Sequence, residues 1–343
     1  MILGLSLIAT TCIRLESEWK IYMDYDVIGD IHGHADKLTA LLGALGYVES
    51  DGAFRHPTRK AAFVGDFIDR GKQGVETVRL VRAMVEGGSA RAVMGNHEFN
   101  AIAWHTPDLQ QQGEFLRPRF TDPWGSRNRH QHAAFLAQVE HDSALHQEVV
   151  DWFLTLPLWL DLPELRLVHA CWHEPMMNWL APRLRDGACL TRDLMAQACA
   201  EPGNLQDKDG PAITMFKAVE ALTKGIELQL PEGVAFIDKD GISRSRVRSR
   251  WWNEQATTYR ELANMSDAER EHVPDTVVPA HMRFSAGSDK PVFFGHYWMT
   301  GRPTLLSGRA VCVDYSAGKG GVLVAYRHEA GAPLSDERFV WVA

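Results

Sequence analysis

Three short blocks of the chain place Asp, Asn and His beside small residues, each directly after an apolar run. The blocks are Gly29-Asp30-Ile31-His32-Gly33, Gly65-Asp66-Phe67-Ile68-Asp69-Arg70-Gly71 and Gly95-Asn96-His97-Glu98, and His169 and His296 follow later. Oxygen and imidazole donors on turns are the ligands that hard to borderline metal ions need. In this order the blocks predict a two-metal site that cleaves phosphate esters.

Six residues are candidate ligands for two divalent metal ions about 3.5–4 Å apart. We expect Asp30 and His32 to bind one ion, and Asp66 to bridge both ions because a carboxylate offers two oxygens. The second ion would take the remaining candidates, Asn96, His169 and His296. A metal pair of this kind suits transfer of a phosphoryl group to water, with metal-bound hydroxide attacking phosphorus directly.

Three further residues in the blocks are candidates for catalysis. His97 follows a ligand and would protonate the leaving oxygen, since imidazole titrates near neutral pH. Asp69 is the expected partner that orients His97. The forked guanidinium of Arg70 would bind two phosphate oxygens, and Asn96 would bind phosphate as well as metal.

The first hundred residues predict strands that alternate with helices. The expected strands are Tyr25–Ile28, Ala61–Val64 and Arg91–Met94, and the expected helices are Ala35–Leu45, Val75–Val85 and one that begins near His97. Alternation of this kind predicts an α/β fold with a largely parallel sheet, in which ligands collect at the carboxyl ends of the strands. The three blocks lie at these ends and can therefore converge.

The remainder of the chain has a less regular pattern. We expect a loop over 106–131, helices at Leu136–Leu156 and Ile213–Gly225, and strands at Leu165–His169, Val292–Gly295, Ala310–Asp314, Val322–Tyr326 and Phe339–Val342. Residues 174–290 lack clear alternation and are predicted to be an insertion or cap. The expected organisation is one domain over 23–343 that contains this insertion, preceded by a non-core extension over 1–22.

The extension begins with a short apolar run. No Lys or Arg precedes this run, and it is too short to span a bilayer. We therefore favour Met23 as the natural start of the protein, with a weak export signal as the alternative.

Composition narrows the class of protein. The 343 residues carry a net charge of −8, which argues against a general nucleic-acid binder. A phosphorylated substrate is compatible with this charge, because bound metal cations reverse the local field. The five cysteines include no CxxC pair, so a reducing compartment, the cytoplasm, is expected, and no membrane partner.

The blocks resemble the three signature motifs of the calcineurin-like metallophosphoesterase superfamily. The Asp69-Arg70-Gly71 ending is closer to the phosphoprotein-phosphatase branch, which includes Ser/Thr protein phosphatases and bacterial symmetrical dinucleoside tetraphosphatases. The resemblance covers about residues 25–100, continues at His169 and at Gly295-His296, and returns weakly in the last strands. It does not cover 174–290.

This resemblance implies a central sandwich of two mixed β-sheets flanked by helices, with the residue roles given above. It also implies two divalent metal ions, Mn²⁺ first, with Fe or Zn as alternatives. The family has a second phosphate-binding Arg between its late histidines. We assign this role to Arg250, with Arg248 as the next choice.

The expected function is a dinuclear metal-dependent phosphoesterase acting on a phosphate ester or phosphoanhydride. The substrate is a phosphorylated small molecule, such as a dinucleoside polyphosphate, or alternatively a phosphoprotein. The tryptophans Trp172, Trp179, Trp251, Trp252 and Trp298 could stack on a nucleobase, although packing in the core is favoured. A catalytically silent binding module is the alternative from another class, but such proteins should lack ligands, and this chain lacks none.

Overall fold

The computed structural model describes residues 23–204, 207, 209–237, 243–280, 283, 287 and 290–343. The expectation about residues 1–22 lies outside them. Ten α-helices are present in this part of the chain: α1 Ala35–Leu45, α2 Gly74–Glu86, α3 Asn96–His105, α4 Trp124–Val139, α5 Ser143–Phe153, α6 Glu174–Leu180, α7 Met195–Cys199, α8 Met215–Lys224, α9 Tyr259–Leu262 and α10 Asp267–Arg270.

The same part of the chain contains fifteen β-strands. They are β1 Asp24–Ile28, β2 Val48–Ser50, β3 Ala53–Arg55, β4 Arg59–Phe63, β5 Ala90–Ala92, β6 Trp159–Asp161, β7 Arg166–Val168, β8 Glu227–Gln229, β9 Phe236–Ile237, β10 Ser243–Arg244, β11 Arg246–Arg248, β12 Val292–Phe294, β13 Ala310–Cys312, β14 Leu323–His328 and β15 Phe339–Val342. No helix among the described residues is long and apolar enough to cross a membrane.

Two mixed sheets form the centre of the fold. The first has the order β15-β14-β1-β4-β5. In it, β1, β4 and β5 are parallel to one another, and β14 runs antiparallel to both of its neighbours, β1 and β15. The second has the order β13-β12-β7-β6, in which only β6 runs antiparallel to its neighbour. The expected α/β fold with two mixed sheets is confirmed.

Alternation along the strands explains why the sheets pack face to face. In β1, Val27 joins a buried cluster with Leu167 and Phe293 of the second sheet, whereas the next residue, Ile28, packs with Leu38 of α1. Successive strand residues point to opposite faces, so each strand supplies one row to the sandwich and one to the helices. All these side chains are fully buried.

The prediction of one continuous helix over Leu136–Leu156 is wrong. The structure has α4 and α5 there, separated near Asp142, whose carboxylate accepts a hydrogen bond from the Leu145 backbone N–H, 3.0 Å away. Asp at this position satisfies a free N–H of the new helix and so favours a fresh start. The loop predicted over 106–131 is also shorter, because α4 begins at Trp124.

The described residues within 174–290 pack against the rest of the protein. Met177, Leu222 and Trp251 belong to the same buried cluster as Ile28 and α1. A smaller cluster, which includes Leu228, Val247 and Tyr259, lies under β8 and β11. Trp172, Trp251 and Trp252 are buried, which confirms core packing for these three. The division into a 23–343 domain with a 174–290 insertion stays a prediction.

Candidate metal centre and active site

Every predicted metal ligand follows the carboxyl end of a central strand. Asp30 and His32 follow β1, Asp66 follows β4, and Asn96 begins α3 after β5. His169 follows β7 and His296 follows β12 in the second sheet. The parallel strands of the two sheets thus deliver all six side chains to one edge of the sandwich, where ligand sites of α/β folds usually lie.

Backbone hydrogen bonds hold the first two loops together. The N–H groups of Ile31 and His32 both donate to the Asp66 carbonyl, at 3.1 and 2.9 Å, and Gly33 donates to Phe67 at 2.8 Å. The carboxylate of Glu98 accepts hydrogen bonds from the backbone N–H groups of Asp66, Phe67 and Gly95, at 2.8–3.0 Å. These contacts fix the turns from which the ligands project.

Several of the turns have a backbone conformation that non-glycine residues rarely adopt. The φ angles are +49° at His32, +56° at Asp66, +69° at Asp69 and +72° at His296. Such conformations cost about 1–3 kcal/mol each and persist where the surroundings enforce them. Gly95 is required for a steric reason, since a Cβ there would collide with the carboxylate of Asp66.

Asp66 lies at the centre of the ligand set. Its Oδ2 is 3.7 Å from His32 Nε2 and 3.4 Å from His169 Nε2. Asn96 Oδ1 lies 3.1 Å from His169 Nε2 and 2.8 Å from His296 Nδ1. Asp66 therefore lies between His32 on one side and His169 and His296 on the other, which is the arrangement that a bridging carboxylate needs.

The donor atoms fit divalent metal ions. Two groups of side chains could each hold an ion, because the ligand atoms within each group lie within 4.8 Å of one another. One group is His32, Asp66 and His97, and the other is Asp66, His169 and His296. Asp30 Oδ1, His32 Nε2 and His296 Nε2 are buried and have no hydrogen-bond partner among the described residues. Buried polar atoms are rarely left without partners, so these three atoms fit a site that binds cations.

Burial and neighbouring charges shift the pKa values of the candidate metal ligands. Burial alone would raise the pKa of Asp66, but the imidazoles of His169 and His97 lower it well below its usual value. Burial, with the carboxylates of Asp314 and Asp66, raises the pKa of Asp30. Burial lowers the pKa of His32 to about 3, which keeps its imidazole neutral and able to bind a cation.

His97 and Asp69 form a buried pair, as the sequence predicts. His97 Nδ1 lies 2.5 Å from Asp69 Oδ2, and the opposite ring nitrogen, Nε2, is 3.8 Å from Asp66 Oδ2. Burial alone would lower the pKa of His97, but Asp66 and Asp69 raise it. A second imidazole shares Asp69, because His132 Nδ1 lies 2.8 Å from Asp69 Oδ1. The pair can therefore hold a proton on His97 Nε2.

A cavity of about 180 Å³, which we call the phosphate cavity, opens over these groups. Its lining residues are Asp66, Asp69, Arg70, Asn96, His97, Asn100, Arg117, Gln131, His132, Arg248, His296 and Trp298. Arg70 lies over the Trp298 ring, at 5.6 Å from its centroid. Three guanidinium groups around buried carboxylates and imidazoles make this cavity suitable for a phosphate group.

Arg250, the first choice for the second phosphate-binding Arg, does not line this cavity. Arg248, the next choice, does. Arg248 is the last residue of β11, whereas the chain has turned away by Arg250, whose backbone N–H donates to the carbonyl of Leu262. The assignment from sequence is corrected to Arg248 in position, and its role in binding stays a prediction.

The comparisons with known proteins agree with this geometry. Residues 23–182 match the calcineurin-like phosphoesterase family. This part of the chain, just under half of its length, is a calcineurin-like phosphoesterase domain. A domain of this family implies divalent metal ions, and the ligand groups described above fit them.

Curated relatives match a shorter segment of the chain, of 76 residues. The bis(5'-nucleosyl)-tetraphosphatase PrpE [asymmetrical] of Halalkalibacterium halodurans is 47% identical over 76 residues, which are 22% of this chain and 31% of that protein. The enzyme of the same name from Bacillus subtilis is 45% identical over 76 residues, with the same coverage. The chain thus spans about a third of the length of these relatives.

Solved structures match over more of the chain. The cold-active protein-tyrosine phosphatase of a psychrophilic Shewanella species is 16% identical, with 89% of this chain and 76% of that one covered and a TM-score of 0.43.

Some residues of the phosphoesterase site were missed from the sequence. His132 lies in α4 within a polar stretch, and Arg117 lies in the preceding loop, so neither carries a local motif. Asp314 follows β13 and accepts hydrogen bonds from the Trp298 and Ser316 N–H groups at 2.7 and 2.9 Å. Its position as the last residue of the predicted strand Ala310–Asp314 is the one signal that could have indicated it.

Proposed function

We propose that this protein is a dinuclear metal-dependent phosphoesterase whose first substrate class is the dinucleoside polyphosphates. The observation that carries the proposal is the placement of the buried His97–Asp69 pair beside the Asp66 ligand set in one cavity. A general acid next to a metal centre is the combination that phosphate hydrolysis requires.

Five residues that line the phosphate cavity have a role in this proposal. Arg70 and Arg248 bind the oxygens of the phosphate being cleaved, with the amide of Asn96 beside them. His97 holds a proton on Nε2, because Nδ1 is engaged by Asp69, and donates it to the leaving oxygen. The raised pKa of His97 favours the protonated form before the reaction.

The metal ions would be held by Asp30, His32, Asp66, Asn96, His169 and His296. When bound, divalent cations activate water and neutralise phosphate charge. We propose Mn²⁺ as the metal, since the ligand set is rich in oxygen donors and imidazoles, with Fe or Zn as alternatives. The free thiols of Cys171, Cys189, Cys199 and Cys312 support a cytoplasmic location.

The substrate class is supported by the names of the curated relatives, which are tetraphosphatases that match over 76 residues of the chain. A phosphoprotein is the competing substrate, on the basis of the Asp69-Arg70-Gly71 sequence. The two differ in what surrounds the cleaved phosphate, so a direct comparison of substrates separates them.

The test is a substrate panel with the full chain and added Mn²⁺. We expect hydrolysis of diadenosine tetraphosphate to exceed that of a phosphoserine peptide, and chromatography of the products distinguishes two ADP from ATP plus AMP. The Asp66→Asn variant should lose activity on both substrates. Faster hydrolysis of the peptide would move the assignment to a phosphoprotein phosphatase, and no hydrolysis of either would refute the proposal.

A further inference from the structure

A second cavity, of about 380 Å³, lies beside the phosphate cavity, and we propose that it binds the nucleoside part of the substrate. We call it the side cavity. It is lined by residues of α6 and α8, by the paired strands β8 and β11 with the segments next to them, and by Arg283. This inference rests on the proposed phosphoesterase function and adds to it a binding site for the organic group.

Arg248 connects the two cavities. It lines both of them, and it is the one residue among the described linings that they share. Its guanidinium makes no hydrogen bond or ion pair with a side chain of the described residues, and it lines the phosphate cavity together with the candidate ligands Asp66 and His296. Arg248 is therefore available for a phosphate chain that passes from one cavity to the other.

One wall of the side cavity is apolar. Met176, Ile213, Phe216, Ala221 and Ile226 line it, and Phe216 offers an aromatic ring. A cavity of this volume and character is within the range of small-molecule sites, which combine apolar walls with a few polar groups. An aromatic ring stacks on the flat face of any base.

Three of the cations that line the side cavity, apart from Arg248 and Arg283, are engaged by neighbouring groups. Lys217 Nζ donates to the carbonyl oxygens of Gly210 and Ala212, both at 2.6 Å. Lys224 is paired with Glu220, and Arg246 makes a two-pronged ion pair with Asp209 at 2.7 and 2.9 Å. These engaged cations have little left for a second phosphate.

The distribution of charge therefore orients the ligand. The phosphates belong near Arg248 and the metal centre, and the part of the ligand that enters the side cavity should be uncharged. An uncharged group with flat faces and with donors and acceptors along its edges matches both the apolar wall and the carboxylate and guanidinium groups opposite it. A nucleoside has these properties.

Ala212→Trp tests the proposal by filling the side cavity. Ala212 lines the cavity and is exposed, so the bulky ring should be accommodated without disturbing the core. Ala40→Trp is the matched control, because Ala40 is exposed on α1 and lines neither cavity. Two substrates are compared with Mn²⁺: diadenosine tetraphosphate, and inorganic tripolyphosphate, which has no nucleoside.

We expect Ala212→Trp to raise the KM for diadenosine tetraphosphate about tenfold or more and to leave hydrolysis of tripolyphosphate within about twofold of wild type. Ala40→Trp should change neither. Calorimetry on the metal-free protein gives a readout without turnover, and AMP should bind to wild type and to Ala40→Trp but at least about tenfold more weakly to Ala212→Trp.

The outcomes separate this inference from the proposed function. If both substrates are hydrolysed and Ala212→Trp neither raises the KM for the dinucleotide nor weakens AMP binding, the side cavity does not bind the nucleoside, while the phosphoesterase assignment stands. If no phosphorylated substrate is hydrolysed by wild type, the proposed function fails. AMP binding of equal strength in wild type and Ala212→Trp would also overturn the inference, whatever the activity.

Discussion

Removal of the His97 imidazole should slow hydrolysis by an amount that depends on the leaving group. His97 Nδ1 is held by Asp69 at 2.5 Å, so Nε2 is the nitrogen that can donate a proton into the phosphate cavity. A positioned general acid contributes about 10²–10⁴ in rate, which is about 3–5 kcal/mol of barrier. His97→Ala should therefore lose that factor in kcat on phenyl phosphate, whose phenolate leaving group is strongly basic and needs the proton.

The same variant should lose much less on p-nitrophenyl phosphate, because nitrophenolate departs without a proton. The assay is steady-state kinetics on both substrates with Mn²⁺, with metal content measured alongside. His130→Ala is the control, since His130 is exposed on α4 and lines neither cavity. An equal loss on both substrates, together with lost metal, would refute the acid role and make His97 a ligand, as its place beside His32 and Asp66 also permits.

Three further predictions concern other residues. Arg248→Ala should raise the KM for diadenosine tetraphosphate about tenfold or more, through loss of a charge-assisted hydrogen bond, whereas Arg250→Ala should stay near wild type; equal effects would contradict the placement of Arg248. His132→Phe should lower kcat about tenfold with KM unchanged, because Asp69 loses one of its two imidazoles, and a change in KM alone would contradict this positioning role. Burial lowers the pKa of His146 to about 4, so the stability it contributes should be lost as the pH falls from about 6.5 to 4. Chemical denaturation of His146→Phe should show a flatter pH dependence over that window, by about 1–3 kcal/mol, and an unchanged slope would contradict it.

The first hundred residues were predictable because local pattern and long-range structure agree there. In α1 the helical spacing of Leu38 and Leu41 coincides with burial, and the observed helix has the predicted ends. The metal-type residues follow short apolar strands, and parallel strands must end at one edge. Convergence of Asp30, Asp66 and Asn96 could thus be inferred without coordinates.

Other features depend on contacts that no local pattern encodes. The choice between Arg248 and Arg250 depends on where β11 ends and the chain turns. Strand β11 ends at Arg248, and two residues later the backbone N–H of Arg250 donates a hydrogen bond to the Leu262 carbonyl. His132 reaches Asp69 from a helix 63 residues further along the chain. The break near Asp142 was hidden because apolar residues continue on both sides of it.

The most direct test of the central claim is the metal content of the full chain together with its activity. After reconstitution with Mn²⁺ and removal of excess metal, elemental analysis should find two metal ions per chain in the wild type, and this protein should hydrolyse diadenosine tetraphosphate. Asp66→Asn should retain fewer ions and lose hydrolysis, with its fold preserved by circular dichroism. A wild-type protein that binds neither Mn²⁺, Fe nor Zn and hydrolyses no phosphorylated substrate would contradict the account.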